Sequence, residues 1–156
     1  MSRRLVLLLV LLLGWWAGAG RAQSSASDLK PTVILISLDG WRWDYAQKYP
    51  APALTRLMKQ GVSGVLIPSF PSKTFPNHYT IVTGLYPGHH GIVANSIKDP
   101  ATGRRLTMSN RKEVQDPMWW GGTPIWVTVQ NAGRTAAAMF WPGSEAPIAG
   151  LRPRFW

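Results

Sequence analysis

The chain has 156 residues, 46% hydrophobic and 15% charged, with 15 Gly and 13 Pro. That is room for one domain, too apolar for a disordered tail and too rich in Gly and Pro for a helical bundle. The lack of Cys excludes disulfide scaffolds, Cys-based zinc sites and thiol catalysis, and a formal charge of +10 favours anionic partners (phosphate esters, nucleic acid or acidic lipid) without choosing among them.

Arg3 and Arg4 precede an unbroken apolar run from Leu5 to Leu13, and the small residues Gly14, Ala17, Gly18, Ala19, Gly20 and Ala22 follow. A short basic stretch, an apolar core of about 7–15 residues and a small-residue cleavage site describe a secretory signal peptide. Residues 1–22 therefore read as a signal peptide cut after Ala19 or Ala22, the alternative being an uncleaved anchor extended through Trp15 and Trp16. The run is too short for a membrane span, which needs about 20 apolar residues. No span is expected elsewhere. An exported chain without Cys and without an Asn-x-Ser/Thr sequon suits a bacterial periplasm better than an animal secretory pathway. The expected location is thus periplasmic or secreted. Loss of Arg3, Arg4 and Arg21 would lower the formal charge to about +7.

Residues 23–31 are polar and small and read as a linker. Thr32–Leu38 is a continuous, β-branched apolar run, the pattern of a strand buried on both faces of a parallel sheet. Asp39 and Gly40 end it. Asp44–Gln60 carries Leu54, Leu57 and Met58 at helical spacing, with Gly61 as the stop. Gly64–Ile67 reads as a second short strand closed by Pro68, and Ser69–Pro76 as an irregular loop. Pro76 suits the first position of a helix running to Thr83. Gly84–Gly91 is turn-rich, and Ala101–Asp116 is a polar, basic surface excursion. Thr123 and Pro124 predict an N-cap and first residue of a helix to about Asn131, stopped near Gly133. Thr135–Phe140 is a third candidate strand. Alternating strands and helices predict an α/β fold. Three candidate strands fall short of the roughly 5–6 of a typical sheet, so the chain reads as an incomplete sheet.

Asp39 stands at the carboxyl end of the first strand, where open α/β sheets place their sites; alone it reads equally as a turn residue or cap. Thr74 lies in a loop before a helix start, where free backbone N–H groups attract a phosphoryl group. A hydroxyl there is a candidate nucleophile, or an ordinary cap. No base is near it in sequence, and metal coordination is the usual substitute. Asn95 can donate an amide N–H to a phosphoryl oxygen, or serve a turn.

Taken together, Val33–Arg42 (VILISLDGWR), Pro71–Pro87 (PSKTFPNHYTIVTGLYP) and His89–Asn95 (HHGIVAN) resemble the nucleotide pyrophosphatase/phosphodiesterase family of the alkaline phosphatase superfamily. The resemblance runs from about Thr32 to Trp156 and makes residues 32–156 the N-terminal part of a phosphodiesterase catalytic domain. It implies an alkaline-phosphatase-like, mostly parallel sheet flanked by helices, here incomplete. It implies two zinc ions, with Asp39 and Thr74 among their ligands. Thr74 would be the nucleophile and Asn95 the oxyanion-side donor, helped by the backbone N–H of Phe75. Phe75 would also offer a face for a nucleobase. Lys73, beside Thr74, reads either as a group that steers substrate or as one that points to water. The implied course is attack by Thr74 on a phosphodiester or pyrophosphate phosphorus, then hydrolysis of the phospho-threonine by zinc-bound hydroxide. The implied substrates are nucleotides or other phosphodiesters, with no specific nucleic-acid recognition; oligomeric state is not implied.

The sequence departs from that pattern in its metal ligands. Past Asn95 the acids are Asp99, Glu113, Asp116 and Glu145, and there is no His. His78, His89 and His90 fall inside the matched motifs at positions that the family does not use as ligands, and read as structural or surface groups. Asp39 and Thr74 cannot complete a zinc site, which takes about three protein ligands plus water. The remaining ligands are not in this chain, so it is expected to be a fragment, binding zinc poorly and turning over little by itself. The competing readings are a basic, exported, non-catalytic module for anions or nucleotides, and a phospholipid-type phosphodiesterase. Most of the Trp residues, Trp119, Trp120, Trp126, Trp141 and Trp156 in the second half among them, read as core, with base or sugar stacking by Trp119 and Trp120 as the weaker option. Arg104, Arg105, Arg111 and Lys112 read as a solvated loop, with phosphate steering as the alternative; Trp41–Trp43 is expected to pack beneath the Asp39 loop.

Overall fold

Two prolines cut the first predicted helix in half. In the computed structural model, residues 44–60 form two helices, α1 (Tyr45–Lys48) and α2 (Pro52–Gln60). Tyr49 and Ala51 between them are non-helical, because a proline ring crowds the residue before it out of the helical region. The structure describes residues 31–156. Ser37–Trp156 form one compact unit, and Pro31–Ile36 belong to the unit before it. The expected signal peptide, its alternative cleavage points and residues 23–30 of the linker lie outside the described residues.

The best-formed element is α3, Thr74–Thr83, which begins two residues earlier than Pro76 predicts. Pro76 becomes its third residue, still within the first turn, where a missing N–H breaks no helical bond. Gly84 ends it in the left-handed conformation (φ 69°), its N–H closing on Thr80 O at 2.8 Å. Phe75, Tyr79 and Val82, spaced 4 and 3 residues apart, make its buried face. A one-turn helix, α4 (Pro87–His90), follows within the turn-rich stretch.

The polar excursion is more ordered than its composition suggests. β1 (Ser96–Lys98) and β2 (Arg105–Thr107) pair antiparallel, with Ile97 opposite Leu106. Then come α5 (Arg111–Val114), a 3-10 turn at Pro117–Trp119 and α6 (Ile125–Asn131). Pro124 is the N-cap of α6 rather than its first residue, a shift of one position from the prediction. The core gathers Phe75, Tyr79 and Val82 with Ile92, Leu106, Val114, Trp119, Trp120, Trp126, Val127, Ala146 and Ile148. Gly143 lets the chain pass between two rings: its φ is +90°, and a Cβ there would lie 3.0 Å from both Tyr79 and Trp120.

The three expected strands do not form a parallel sheet among the described residues. Residues 32–38 and 64–67 carry no strand pairing there, and Val33, Ile34, Val65, Leu66 and Ile67 are exposed. A strand is held by its neighbour's backbone, and an apolar run without a neighbour stays irregular however strong its pattern. Residues 135–140 come nearest: Ala137 bridges Phe155 in parallel, with Ala138 N–H to Phe155 O at 2.8 Å and Arg154 N–H to Ala136 O at 2.9 Å. Trp41 and Trp43 are exposed, not packed beneath the Asp39 loop; Trp41 meets Tyr45 edge-on at 5.6 Å. Among the described residues no helix is long and apolar enough to cross a membrane.

Candidate active site

The loop before α3 is shaped by a single amide. Asn77 Oδ1 accepts from Ser69 N–H at 2.8 Å and Ser69 Oγ at 3.1 Å. Its Nδ2 donates to the carbonyls of Ser69 (3.3 Å), Pro71 (2.9 Å) and Lys73 (3.1 Å). An amide offers both a strong acceptor and two N–H donors, so one side chain on the first turn of α3 gathers three backbone segments of the preceding loop. Sequence reading passed over Asn77. The signal was a polar residue placed directly after Pro76 on a predicted first turn, beside a loop too irregular to satisfy its own carbonyls.

That loop delivers Thr74 as the first residue of α3. Thr74 Oγ donates to Asp39 Oδ2 at 3.2 Å, across 35 residues of sequence. Two of the predicted site residues therefore meet, on an exposed surface at the amino end of a ten-residue helix. A hydroxyl has one proton and two lone pairs; with the proton directed at Asp39, the lone pairs remain for an electrophile. Phe75 N–H donates to Asn95 Oδ1 at 2.9 Å, which brings in a third predicted residue. This bond spends the Phe75 N–H on Asn95 instead of leaving it open to an anion. It also fixes the Asn95 amide by its oxygen, so the NH2 group is the end left to donate. The Phe75 ring is only 7% exposed and lies tilted against Trp120, with centroids 5.8 Å apart. Lys73 is exposed, and its carbonyl accepts Asn77 N–H at 3.1 Å.

Two histidines brace this arrangement. His78 reaches the Thr74 carbonyl with Nδ1 (2.8 Å) and Ser37 Oγ with Nε2 (2.9 Å). His90 is fully buried, and its Nδ1 accepts Ile92 N–H at 3.1 Å. Its Nε2 therefore bears the proton and donates to Thr80 Oγ at 3.0 Å. Burial lowers the His90 pKa, and two backbone hydrogen bonds oppose that only in part. Sequence reading took these side chains as structural; the structure adds what they hold. The signal for His78 was its position four residues after Thr74, one turn above it on the same helix face. His89 is exposed.

Two members of the basic cluster are engaged by carboxylates, while Arg105 and Lys112 are exposed. Arg104 is bonded to Glu113 (2.7 Å) and to Asp116, and Arg111 lies 3.7 Å from Glu145. Hydrogen bonds from Arg104 and then Trp119 hold the Glu113 carboxyl below its ordinary range. Trp119 Nε1 donates to Glu113 Oε2 and Trp120 Nε1 to Val114 O, each at 2.9 Å, so both indoles are core groups and not stacking platforms.

Asp39 and Thr74 supply two oxygen donors of the kind a divalent cation accepts, but a catalytic zinc takes three protein ligands. Among the described residues no group of three His, Cys, Asp or Glu side chains could hold a metal ion. The described residues thus do not by themselves fit a zinc site.

Residues 33–156 match the family model for type I phosphodiesterase/nucleotide pyrophosphatase. The chain is 46% identical over 138 residues to an uncharacterized pyrophosphatase/phosphodiesterase of Schizosaccharomyces pombe, covering 87% of this chain and 28% of that protein. It is 46% identical over 144 residues to the bis(5'-adenosyl)-triphosphatase of Homo sapiens, covering 90% of this chain and 31% of that protein. Among solved structures it superposes on murine ectonucleotide pyrophosphatase/phosphodiesterase 5, in an inactive threonine-to-alanine variant bound to AMP. There the TM-score is 0.71 at 40% identity, over 76% of this chain and 32% of that one. The chain therefore spans about a third of the length of these three relatives. The expected α/β, alkaline-phosphatase-like fold is that of these structural neighbours, of which the described residues hold the helices and a small sheet. With the family model matched over residues 33–156 and the fold shared, the chain belongs to the type I phosphodiesterase/nucleotide pyrophosphatase family.

Proposed function

We propose that this chain carries the nucleophile arm of a hydrolase that cleaves phosphodiester or pyrophosphate bonds in nucleotides through a covalent threonine intermediate. The observation that carries the reading is the Thr74 hydroxyl at the amino end of α3, 3.2 Å from Asp39 Oδ2. Thr74 Oγ forms a bond to phosphorus while the bond to the leaving oxygen breaks, its electron pair departing with that oxygen. The hydroxyl proton leaves along its hydrogen bond to Asp39. The amino end of α3 and the Asn95 NH2 group face the charge that builds on the phosphoryl oxygens. Water then displaces Thr74 from the phospho-threonine. Zinc would supply Lewis acidity, with Asp39 and Thr74 as two of its ligands and the others from outside the described residues.

The relatives support this reading. One is named for splitting a bis(5'-adenosyl) triphosphate, and another is inactive as a threonine-to-alanine variant that holds AMP. Phe75 contributes to base binding in this reading through the edge of a largely buried ring, and exposed Lys73 through charge. The basic, apolar and small-residue pattern of residues 1–22 supports export.

The test is Thr74→Ala in the full-length protein, assayed on a dinucleoside polyphosphate. Turnover is expected to fall by about 10³-fold or more while AMP binding persists. Turnover that survives the substitution overturns the covalent mechanism. Nucleotide binding with no turnover in either form would favour the non-catalytic module.

A further inference from the structure

One imidazole ties together the two arms that carry Asp39 and Thr74. His78 Nδ1 is 2.8 Å from the carbonyl of Thr74 itself, and Nε2 is 2.9 Å from Ser37 Oγ, two residues before Asp39. A carbonyl only accepts, so Nδ1 carries a proton, and in the neutral ring Nε2 accepts from the Ser37 hydroxyl. The ring is held in turn. Trp141 meets it edge-on at 5.4 Å, and Trp141 Nε1 donates to His78 O at 3.0 Å. The strut is part-buried, whereas the Thr74–Asp39 bond is exposed and longer. An exposed hydroxyl–carboxylate bond competes with water and holds a distance poorly; a shielded imidazole with both nitrogens engaged holds it well.

We propose that His78 is a positioning residue that sets the separation of Thr74 from Asp39, with Ser37 as its anchor on the Asp39 side. The inference rests on Thr74 being the nucleophile. Its force comes from geometry: reacting atoms must stand about 3–3.5 Å apart, and a misplacement of about 1 Å costs up to about 100-fold in rate. His78 touches no substrate in this scheme. It acts through the Thr74 carbonyl and the Ser37 hydroxyl.

The experiment is a double-mutant cycle in the full-length protein, with bis(4-nitrophenyl) phosphate as substrate. Ser37→Ala and His78→Leu are each expected to lower kcat about tenfold with KM nearly unchanged, and the double variant to lose no more than either alone. His78→Gln, whose terminal amide reaches the place of Nε2, recovers most of the rate. His78→Asn, which reaches only the place of Nδ1, does not. AMP binding and the melting temperature stay close to those of the parent for Ser37→Ala. Additive losses overturn the inference. So does a Ser37→Ala effect that appears in KM and melting temperature together with kcat, because a merely structural contact behaves that way. Thr74→Ala run alongside separates the two readings. If it keeps its turnover, the nucleophile assignment fails and the positioning role falls with it. If it loses turnover while the Ser37–His78 pair shows no coupling, only the positioning role fails.

Discussion

Two parts of the compact unit differ in where they put their apolar side chains. In Pro71–Trp156, α3, the hairpin and α6 close on one core of aromatic and aliphatic residues. In Ser37–Phe70, the buried residue is a carboxylate, Asp44, held by Lys48 at 2.7 Å and Arg42 at 2.9 Å. The Lys48 bond leads the effects that keep its carboxyl below the ordinary range. In the same stretch of chain Trp41, Trp43, Leu57, Leu66, Ile67 and Phe70 remain exposed. Periodicity states which side chains are available for burial, and only a facing element converts that into stability. Thr74 stands on the part that has its facing elements. Asp39 stands on the part that does not.

Truncation breaks or sharpens this contrast most directly. Trp120→Ala in the 156-residue chain is expected to cost about 3–5 kcal/mol, because Trp120 packs on Phe75 and Tyr79 and its indole N–H is bonded. Ile67→Ala is expected to cost no more than about 0.5 kcal/mol, since Ile67 is 85% exposed. Urea unfolding of both variants measures the difference. Equal losses would abolish the contrast. A large Ile67 loss confined to a longer form of the protein would show what covers that segment.

The two parts were also unequally legible. Asp39, Thr74 and Asn95 could be singled out from their motifs, and the structure brings all three to the amino end of α3. The apolar runs 32–38 and 64–67 read as strands because their composition is that of strands, yet strand formation is a property of pairs, and neither run forms a strand among the described residues. The hairpin was missed for the opposite reason. Ser96–Lys98 and Arg105–Thr107 are three residues each and mostly polar, too short to show alternation, with fully buried Leu106 the one strong cue. Asn77 escaped notice because its work is done by hydrogen bonds to carbonyls, which no side-chain pattern displays.

A smaller effect probes the packed part through pH. The folded pKa of His90 lies below the ordinary 6.5, chiefly through burial, so the unfolded chain binds the proton more readily. The His90 contribution is complete above about pH 6.5 and drains away as pH falls toward the folded value. Melting temperatures taken across that window should decline on acidification, and His90→Gln should flatten the decline. An unchanged slope would mean that His90 is not the group responsible.

The smallest effect belongs to Tyr79. Its hydroxyl is buried without a hydrogen-bond partner, and burial pushes its pKa well up. Tyr79→Phe removes an unpaired polar group and keeps the ring contacts with His90 and Trp120. It is expected to stabilise by up to about 1 kcal/mol, read as a raised urea midpoint. A loss of stability would show that the hydroxyl has a partner after all.

The Asn77 clasp bears on the order in which the site assembles. Its hydrogen bonds reach back by 4, 6 and 8 residues, so the loop that presents Thr74 closes over very short stretches of chain. The Thr74–Asp39 contact spans 35 residues. By the logarithmic dependence of loop closure on length, the longer closure costs about 1 kcal/mol more entropy than the 8-residue one. The Thr74 loop is therefore a local module expected to take its shape early, with Asp39 recruited to it in a later, costlier closure. A chain caught between these two events already displays the Thr74 hydroxyl at a helix end, but lacks the carboxylate that takes its hydrogen bond.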